Sequence, residues 1–212
     1  MNIAFLPNSS DFMHPQDRRR YVPFIRDFGI ERDIAKFDVH YDVLYVSLNC
    51  DLNLWSKYKS LHDNKKTRII FDLSDNYLKA GAISSCVRSI VHFGSGKTRQ
   101  LNFDYRSSIK KMLSCADVVT VGSEEQKQYL SKYHDEIIVV RDYFKPEIKE
   151  VVDPTYTVSD NELNIFWEGF SHGSKSIFKG IKKLISPLRC NYSKIRLHVV
   201  TDAKYCKVMG KY

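Results

Sequence analysis

Apolar residues in this chain fall into short unbroken runs, separated by longer stretches in which they recur every three or four positions. The runs NIAFL (2–6), DVLYVS (42–47), RIIFD (68–72), DVVTV (117–121) and IIVV (137–140) are β-branched or aromatic, as strands buried on both faces are. Between the first two, Tyr21, Phe24, Ile25 and Phe28 follow helical spacing, with Pro23 near the first turn and Gly29 as the stop. Residues 52–58 predict a weak helix, and Leu101, Tyr105, Ile109, Met112 and Leu113 mark an amphipathic one. Residues 77–98 are rich in Ser and Gly and show no clean period, so no element is assigned to them.

The segment ADVVTVGSEEQKQYLSKYHDEIIVV is the most informative. Gly122 ends a strand, Ser123 can cap a helix, and Glu124 and Glu125 fall in the first turn, where the helix dipole favours negative charge. Ser123 and Gln126 have capping-box spacing. Gln126, Tyr129, Leu130 and Tyr133 then share one helical face before the next strand. Strand, capped helix and strand within about thirty residues is a βαβ unit with parallel pairing. The order of elements predicts an α/β fold: a Rossmann-like parallel sheet with helices on both faces, over residues 1–145.

After Phe144 the pattern changes. Residues 146–162 carry two prolines, mixed charges and no core stripe, the composition of a linker. LNIFW begins a new strand, Phe178, Ile181, Leu184, Ile185 and Leu188 form a helical stripe, and IRLHVVT is another strand. Residues 163–212 therefore read as the start of a second Rossmann-like domain. About fifty residues cannot enclose a doubly wound core, so this part is expected to be incomplete and to need oligomerisation or a completing chain.

Composition narrows the partners. The formal net charge of +8 suits nucleic acid, anionic lipid or a phosphorylated ligand. Its clusters are Arg18, Arg19 and Arg20, Lys110 and Lys111, and Lys179, Lys182 and Lys183, read as solvated helix faces or as a contact with an anionic membrane. No recognised nucleic-acid motif accompanies them. The five cysteines contain no C-x-x-C pair and read as free thiols of a reducing compartment, and the seven histidines show no metal-ligand spacing. No apolar run approaches the roughly eighteen residues of a membrane span. The expected location is the cytoplasm, with peripheral attachment to the inner membrane face.

The pieces RRRYVPFI, YDVLYVS, FDLSD, ADVVTVGSEE and LNIFWEGF, in this order and spacing, resemble the two-domain (GT-B fold) glycosyltransferases that use nucleotide sugars. The nearest likeness is to family 4-like enzymes of polysaccharide synthesis. The resemblance spans nearly all of this chain but about half of a typical enzyme. It implies transfer of a sugar from a nucleotide-sugar donor to a glycan or lipid-linked acceptor, without metal or cofactor. It also implies that the chain supplies the acceptor side and lacks most of the donor side, including the family's late acidic motif, and so does not transfer sugar by itself.

Candidate residues follow from the loops. Gly169, Ser171, His172, Gly173, Ser174 and Lys175 lie where a strand feeds a helix, so free N–H groups and one ammonium could cradle a donor diphosphate. The plainer reading is an N-cap with a solvated Lys175, which is only an approximate stand-in for the family's basic residue. Asp72 and Asp75 stand at the end of the central strand, where a carboxylate could orient or deprotonate an acceptor hydroxyl, with Asp75 preferred. Asp72 could equally cap the following turn. Asn8, Ser9 and Ser10 occupy the matching loop after the first strand, as an acceptor-pocket lining or a polar turn. The run GSGKT at 94–98 lacks the first glycine of a phosphate-binding P-loop and reads as a basic loop. Two other readings remain: a non-catalytic binding or assembly module, and a basic nucleic-acid-binding domain.

Overall fold

β3 (Arg68–Leu73) lies at the centre of the sheet, and its sequence shows why. Ile69, Phe71 and Leu73 are fully buried, and each removes apolar surface equivalent to roughly 2 kcal/mol from water. A computed structural model describes residues 1–62, 66–142, 161–168, 180, 183 and 185–200. The chain divides into two compact units, Met1–Ile148 and Lys149–Tyr212.

In the first unit β1 (Ile3–Leu6), β2 (Val43–Ser47), β3, β4 (Val118–Val121) and β5 (Ile137–Val139) form one parallel sheet in chain order. The helices are α1 (Pro15–Asp27), α2 (Leu52–Trp55), α3 (Tyr58–Leu61), α4 (Ala82–Gly94), α5 (Tyr105–Cys115) and α6 (Glu124–Leu130), with a 3-10 turn at Tyr77–Lys79. Strand alternation sorts the core into two layers. Ala4, Leu44, Val46, Phe71, Val119 and Val121 pack with Trp55, Tyr58, Ile109, Met112 and Leu130 of α2, α3, α5 and α6. Phe5 and Tyr45 belong to the other cluster, with Tyr21 and Ile25 of α1. Helices therefore cover both faces of a Rossmann-like α/β sheet.

A single residue explains how a chain-order sheet carries helices on both sides. Ile34, after α1, makes a parallel bridge to Phe5, with Phe5 N–H donating to Asp33 O and Ala35 N–H to Phe5 O. The chain thus visits the outer edge of β1 before it returns to build β2 on the inner edge. Counting that bridge as a rudimentary second strand, the direction of winding reverses at β1. Ligands of open α/β sheets bind outside the carboxyl ends of the strands at such a reversal. The loops after β1, β2 and β3 lie at that end of the sheet.

Several helices differ from expectation: the one expected over residues 52–58 is split into α2 and α3, and Leu101 precedes α5. α1 begins at Pro15, which takes the first helical position, with His14 Nδ1 accepting from Gln16 N–H at 3.3 Å. Pro23 consequently sits mid-helix rather than near the first turn. α4 fills much of the stretch left unassigned. Its inward residues are Ser85, Ser89 and His92, whereas Ile83, Val87, Ile90 and Val91 are exposed. It packs on α5 instead of the sheet, through the Ser85 Oγ to Asp104 bond and the His92–Tyr105 ring contact, so it needs no apolar inner stripe.

The cap on α6 is built as expected in one half: Ser123 Oγ accepts from Gln126 N–H at 3.2 Å. The return bond shifts by one residue, from Gly122 N–H to Gln126 Oε1, while Gln126 Nε2 donates to Leu73 O at 2.6 Å. The capping glutamine thereby ties α6 to the end of β3.

In the second unit β6 (Glu162–Glu168) and β7 (Lys194–Val200) pair in parallel, and residues 185–188 are helical. One face of the pair is a polar ladder: Glu162 binds Lys194 and Arg196, and Asn164 binds His198, on which the exposed Phe166 stacks. Most of the linker lies outside the described residues.

Candidate functional site

The β1–α1 loop is held by a residue with no sequence motif of its own. Asp17, at the third helical position of α1, is fully buried. Its Oδ1 accepts from Asn8 N–H at 2.9 Å and Asn8 Nδ2 at 2.6 Å, and its Oδ2 from Ser9 N–H at 2.9 Å. Asn8 Oδ1 in turn accepts from Asn49 Nδ2 at 2.8 Å, which joins the loops after β1 and β2. Ser9 Oγ accepts from His14 N–H. Asn8 and Ser9 are thus spent on shaping the loop, and of the three expected lining residues only Ser10 is exposed. Asp17 stands at the third helical position, but its carboxylate holds the N–H groups of Asn8 and Ser9 rather than that of the N-cap His14, so no capping-box spacing announces it.

The two aspartates of β3 part company. Asp72 is 2% exposed and forms a bidentate pair with the buried Arg20: Nη2 to Oδ1 at 2.6 Å and Nε to Oδ2 at 2.9 Å. Thr120 Oγ1 donates to Asp72 Oδ1 at 2.7 Å and lies 3.1 Å from Tyr45 Oη, and Tyr21 Oη donates to Oδ2. Arg20 Nη1 also reaches Val140 O at 2.7 Å, past the end of β5. Burial pushes the Asp72 carboxyl up from its ordinary value, opposed by Arg20. Burial pushes Arg20 down, but the Asp72 charge more than compensates, so Arg20 ends above its ordinary value. Tyr21 and Tyr45 are raised, first by burial and then by Asp72. Asp72 is buried and its bonds clamp α1 to β3 and β4. Arg20 is consequently no part of a basic surface, and Arg19 is paired with Asp142 at 3.3 Å. Arg18, Lys110, Lys111 and Lys183 are exposed, whereas Lys179 and Lys182 lie outside the described residues.

Asp75 is exposed just beyond the carboxyl end of β3. Gln16 Nε2 of α1 and Tyr77 Oη both donate to its Oδ2, at 3.0 and 3.1 Å. Its Oδ1 accepts no hydrogen bond among the described residues. A carboxylate fixed through one oxygen and open at the other can orient a hydroxyl that approaches it.

Beside Asp75 lies a cavity of about 390 Å³, lined by Asn49, Tyr77 and Tyr105 together with Arg88, His92 and Lys97. Arg88 stacks over the Tyr77 ring, 3.6 Å from its centre, and lies 5.1 Å from that of Tyr105. Lys97 is placed by the end of α4. Gly96, at φ +71°, allows Lys97 N–H to reach His92 O and its own N–H to reach Phe93 O, a Schellman closure. The GSGKT run thus follows a helix rather than a strand, and its lysine folds back toward His92. Burial first, then Arg88 and Lys97, push the His92 imidazole down to about 4. Arg88 and His92 gave no signal in the sequence, because α4 carries no core period.

Gly169, Ser171, His172, Gly173, Ser174 and Lys175 lie outside the described residues. Among the described residues no cluster of His, Cys, Asp or Glu could hold a metal ion, and no helix is long and apolar enough to cross a membrane. Cys50, Cys86, Cys115 and Cys190 are free thiols. No protein-family model and no curated protein matches this chain.

Proposed function

We propose that this chain is the acceptor-side part of a glycosyltransferase that moves a sugar from a nucleotide-sugar donor to a glycan or lipid-linked acceptor. The observation that carries the reading is Asp75: exposed at the carboxyl end of the central strand, gripped through Oδ2 by Gln16 and Tyr77, and with no partner at Oδ1 among the described residues. In this reading Oδ1 accepts the hydrogen bond of the acceptor hydroxyl and takes its proton as the oxygen bonds to the anomeric carbon. The bond from that carbon to the donor phosphate breaks, and the nucleoside diphosphate leaves with the electron pair. The order of motifs along the chain and the reversal of winding at β1 support the same assignment. Holding the diphosphate falls to Gly169, Ser171, His172, Gly173, Ser174 and Lys175. The nucleotide sugar is a substrate, and the reading calls for no resident cofactor.

Calorimetry with UDP, GDP and dTDP tests this, followed by acceptor-dependent release of the preferred diphosphate from its sugar. Selective binding, with release only once a chain carrying the missing donor side is added, supports a transferase. Binding of nucleotide or sugar without release even in the presence of that donor side makes the chain a non-catalytic binding module, and binding of neither removes the assignment.

A further inference from the structure

We propose that the cavity between the 3-10 turn, α4 and α5 binds a phosphate group carried by the acceptor. This deepens the transferase reading by naming its acceptor class, and it rests on that reading only for the acceptor's sugar.

Three cationic or titratable groups converge there. Arg88 and His92 stand one turn apart on the inner side of α4, and the Schellman closure brings Lys97 back to the same mouth. No carboxylate is among the described residues that line the cavity. Two of these groups are left wanting. Arg88 Nε and His92 Nδ1 are buried without a hydrogen-bond partner, and His92 as a whole is 4% exposed. Buried polar atoms are nearly always satisfied in folded proteins, so two orphaned nitrogens on residues that line one cavity point to a ligand there. At about 390 Å³ the space is of ligand-pocket size.

The charge count selects phosphate over carboxylate. Arg88 and Lys97 supply two positive charges while His92 is neutral, and a phosphate monoester carries close to two negative charges at neutral pH. Its three acceptor oxygens also suit a planar guanidinium, an ammonium and an imidazole together. The surrounding chain agrees: residues 76–103 contain no Asp or Glu but carry Lys79, Arg88, Lys97 and Arg99. Val87 and Val91 line the cavity and are exposed, next to the exposed Ile83 and Ile90 on the same helix. Such a rim admits a phosphate on a free sugar or one carried by a lipid.

The test titrates the whole chain with inorganic pyrophosphate and with glucose 1-phosphate, following the His92 ring by NMR. In parallel, the chain is sedimented with phosphatidylcholine vesicles with and without phosphatidic acid. Both soluble phosphates should bind more weakly as salt is added, and saturation should raise the His92 pKa from about 4. Arg88→Gln and Lys97→Gln should each weaken binding roughly tenfold, the effect of one charge-assisted hydrogen bond. Lys97 is exposed, so its variant tests the site even where loss of the Arg88–Tyr77 contact prevents folding. Vesicle binding that requires phosphatidic acid and is lost in Lys97→Gln assigns a lipid-borne phosphate; binding of soluble phosphates alone assigns a free sugar phosphate. No binding in any arm, or binding that leaves His92 unmoved and is indifferent to Lys97→Gln, overturns the proposal. Pyrophosphate binding without binding of any unphosphorylated sugar keeps this site and removes the transferase reading.

Discussion

Replacing Arg20 with Met should destabilise the first unit more than almost any other single change. The guanidinium makes a bidentate pair with Asp72, each side chain being 2% exposed, and it holds Val140 O at 2.7 Å. Removing it leaves a carboxylate among Thr120, Tyr21 and Tyr45 with its main counter-charge gone. Breaking a buried pair from one side costs about 3–5 kcal/mol. Replacing both partners with apolar residues is often neutral or better, so Arg20→Met with Asp72→Leu should recover most of the loss, less the bond to Val140. The single variant also has a pH signature. Burial already raises the Asp72 pKa, and loss of Arg20 raises it further. A carboxyl whose folded pKa exceeds its unfolded value weakens the fold as pH rises above the unfolded value, so the deficit should be large at pH 7 and shrink toward pH 4. Urea unfolding followed by Trp55 fluorescence in a Trp167→Phe background reports on this unit alone, since the chain has two tryptophans. A loss under about 1 kcal/mol, or a double variant as unstable as the single, would refute the reasoning.

Three further changes probe the loops around the site. Asp17→Ala removes the acceptor shared by Asn8 and Ser9 and should cost about 3 kcal/mol in urea unfolding, the scale of more than one hydrogen bond to a charge. His92 is buried neutral, with Arg88, Lys97 and Tyr105 facing it. Its folded pKa of about 4 lies below the ordinary 6.5, so the fold should lose roughly 3 kcal/mol between pH 6.5 and 4, and that part of the loss should vanish in His92→Gln. Gly96→Ala meets no steric neighbour but must hold φ +71°, so thermal denaturation should show a loss of roughly 1 kcal/mol. The same change should displace Lys97 from the cavity mouth and weaken pyrophosphate binding.

The sheet was legible because buried parallel strands write themselves as β-branched runs, and RIIFD and DVVTV can hardly be anything else. The α6 cap was legible because Ser123 and Gln126 act locally. α4 was not, because it packs on another helix through Ser85, Ser89 and His92 and turns its apolar side outward. A period search looks for the opposite arrangement. The Arg20–Asp72 pair spans fifty-two positions and Asp17 works across a loop, so each becomes visible only when the fold brings the partners together. Asp75 was singled out from its place at the end of a central strand, and it is exposed there. Asp72, three residues back and pointing into the layer of Tyr45 and Thr120, shows that position along a strand does not decide which side chain meets solvent.

Saturation-transfer NMR with a panel of mono- and oligosaccharides, on the unmodified chain and on Asp75→Asn, tests the central claim most directly. If Asp75 Oδ1 receives the acceptor hydroxyl, at least one sugar should show transfer from the protein. Its affinity should fall roughly tenfold in the variant, with unchanged thermal stability, because Asp75 is exposed and its loss disturbs only the bonds from Gln16 and Tyr77. Sugar binding that is identical in the two proteins, or no sugar binding by either, would contradict the account.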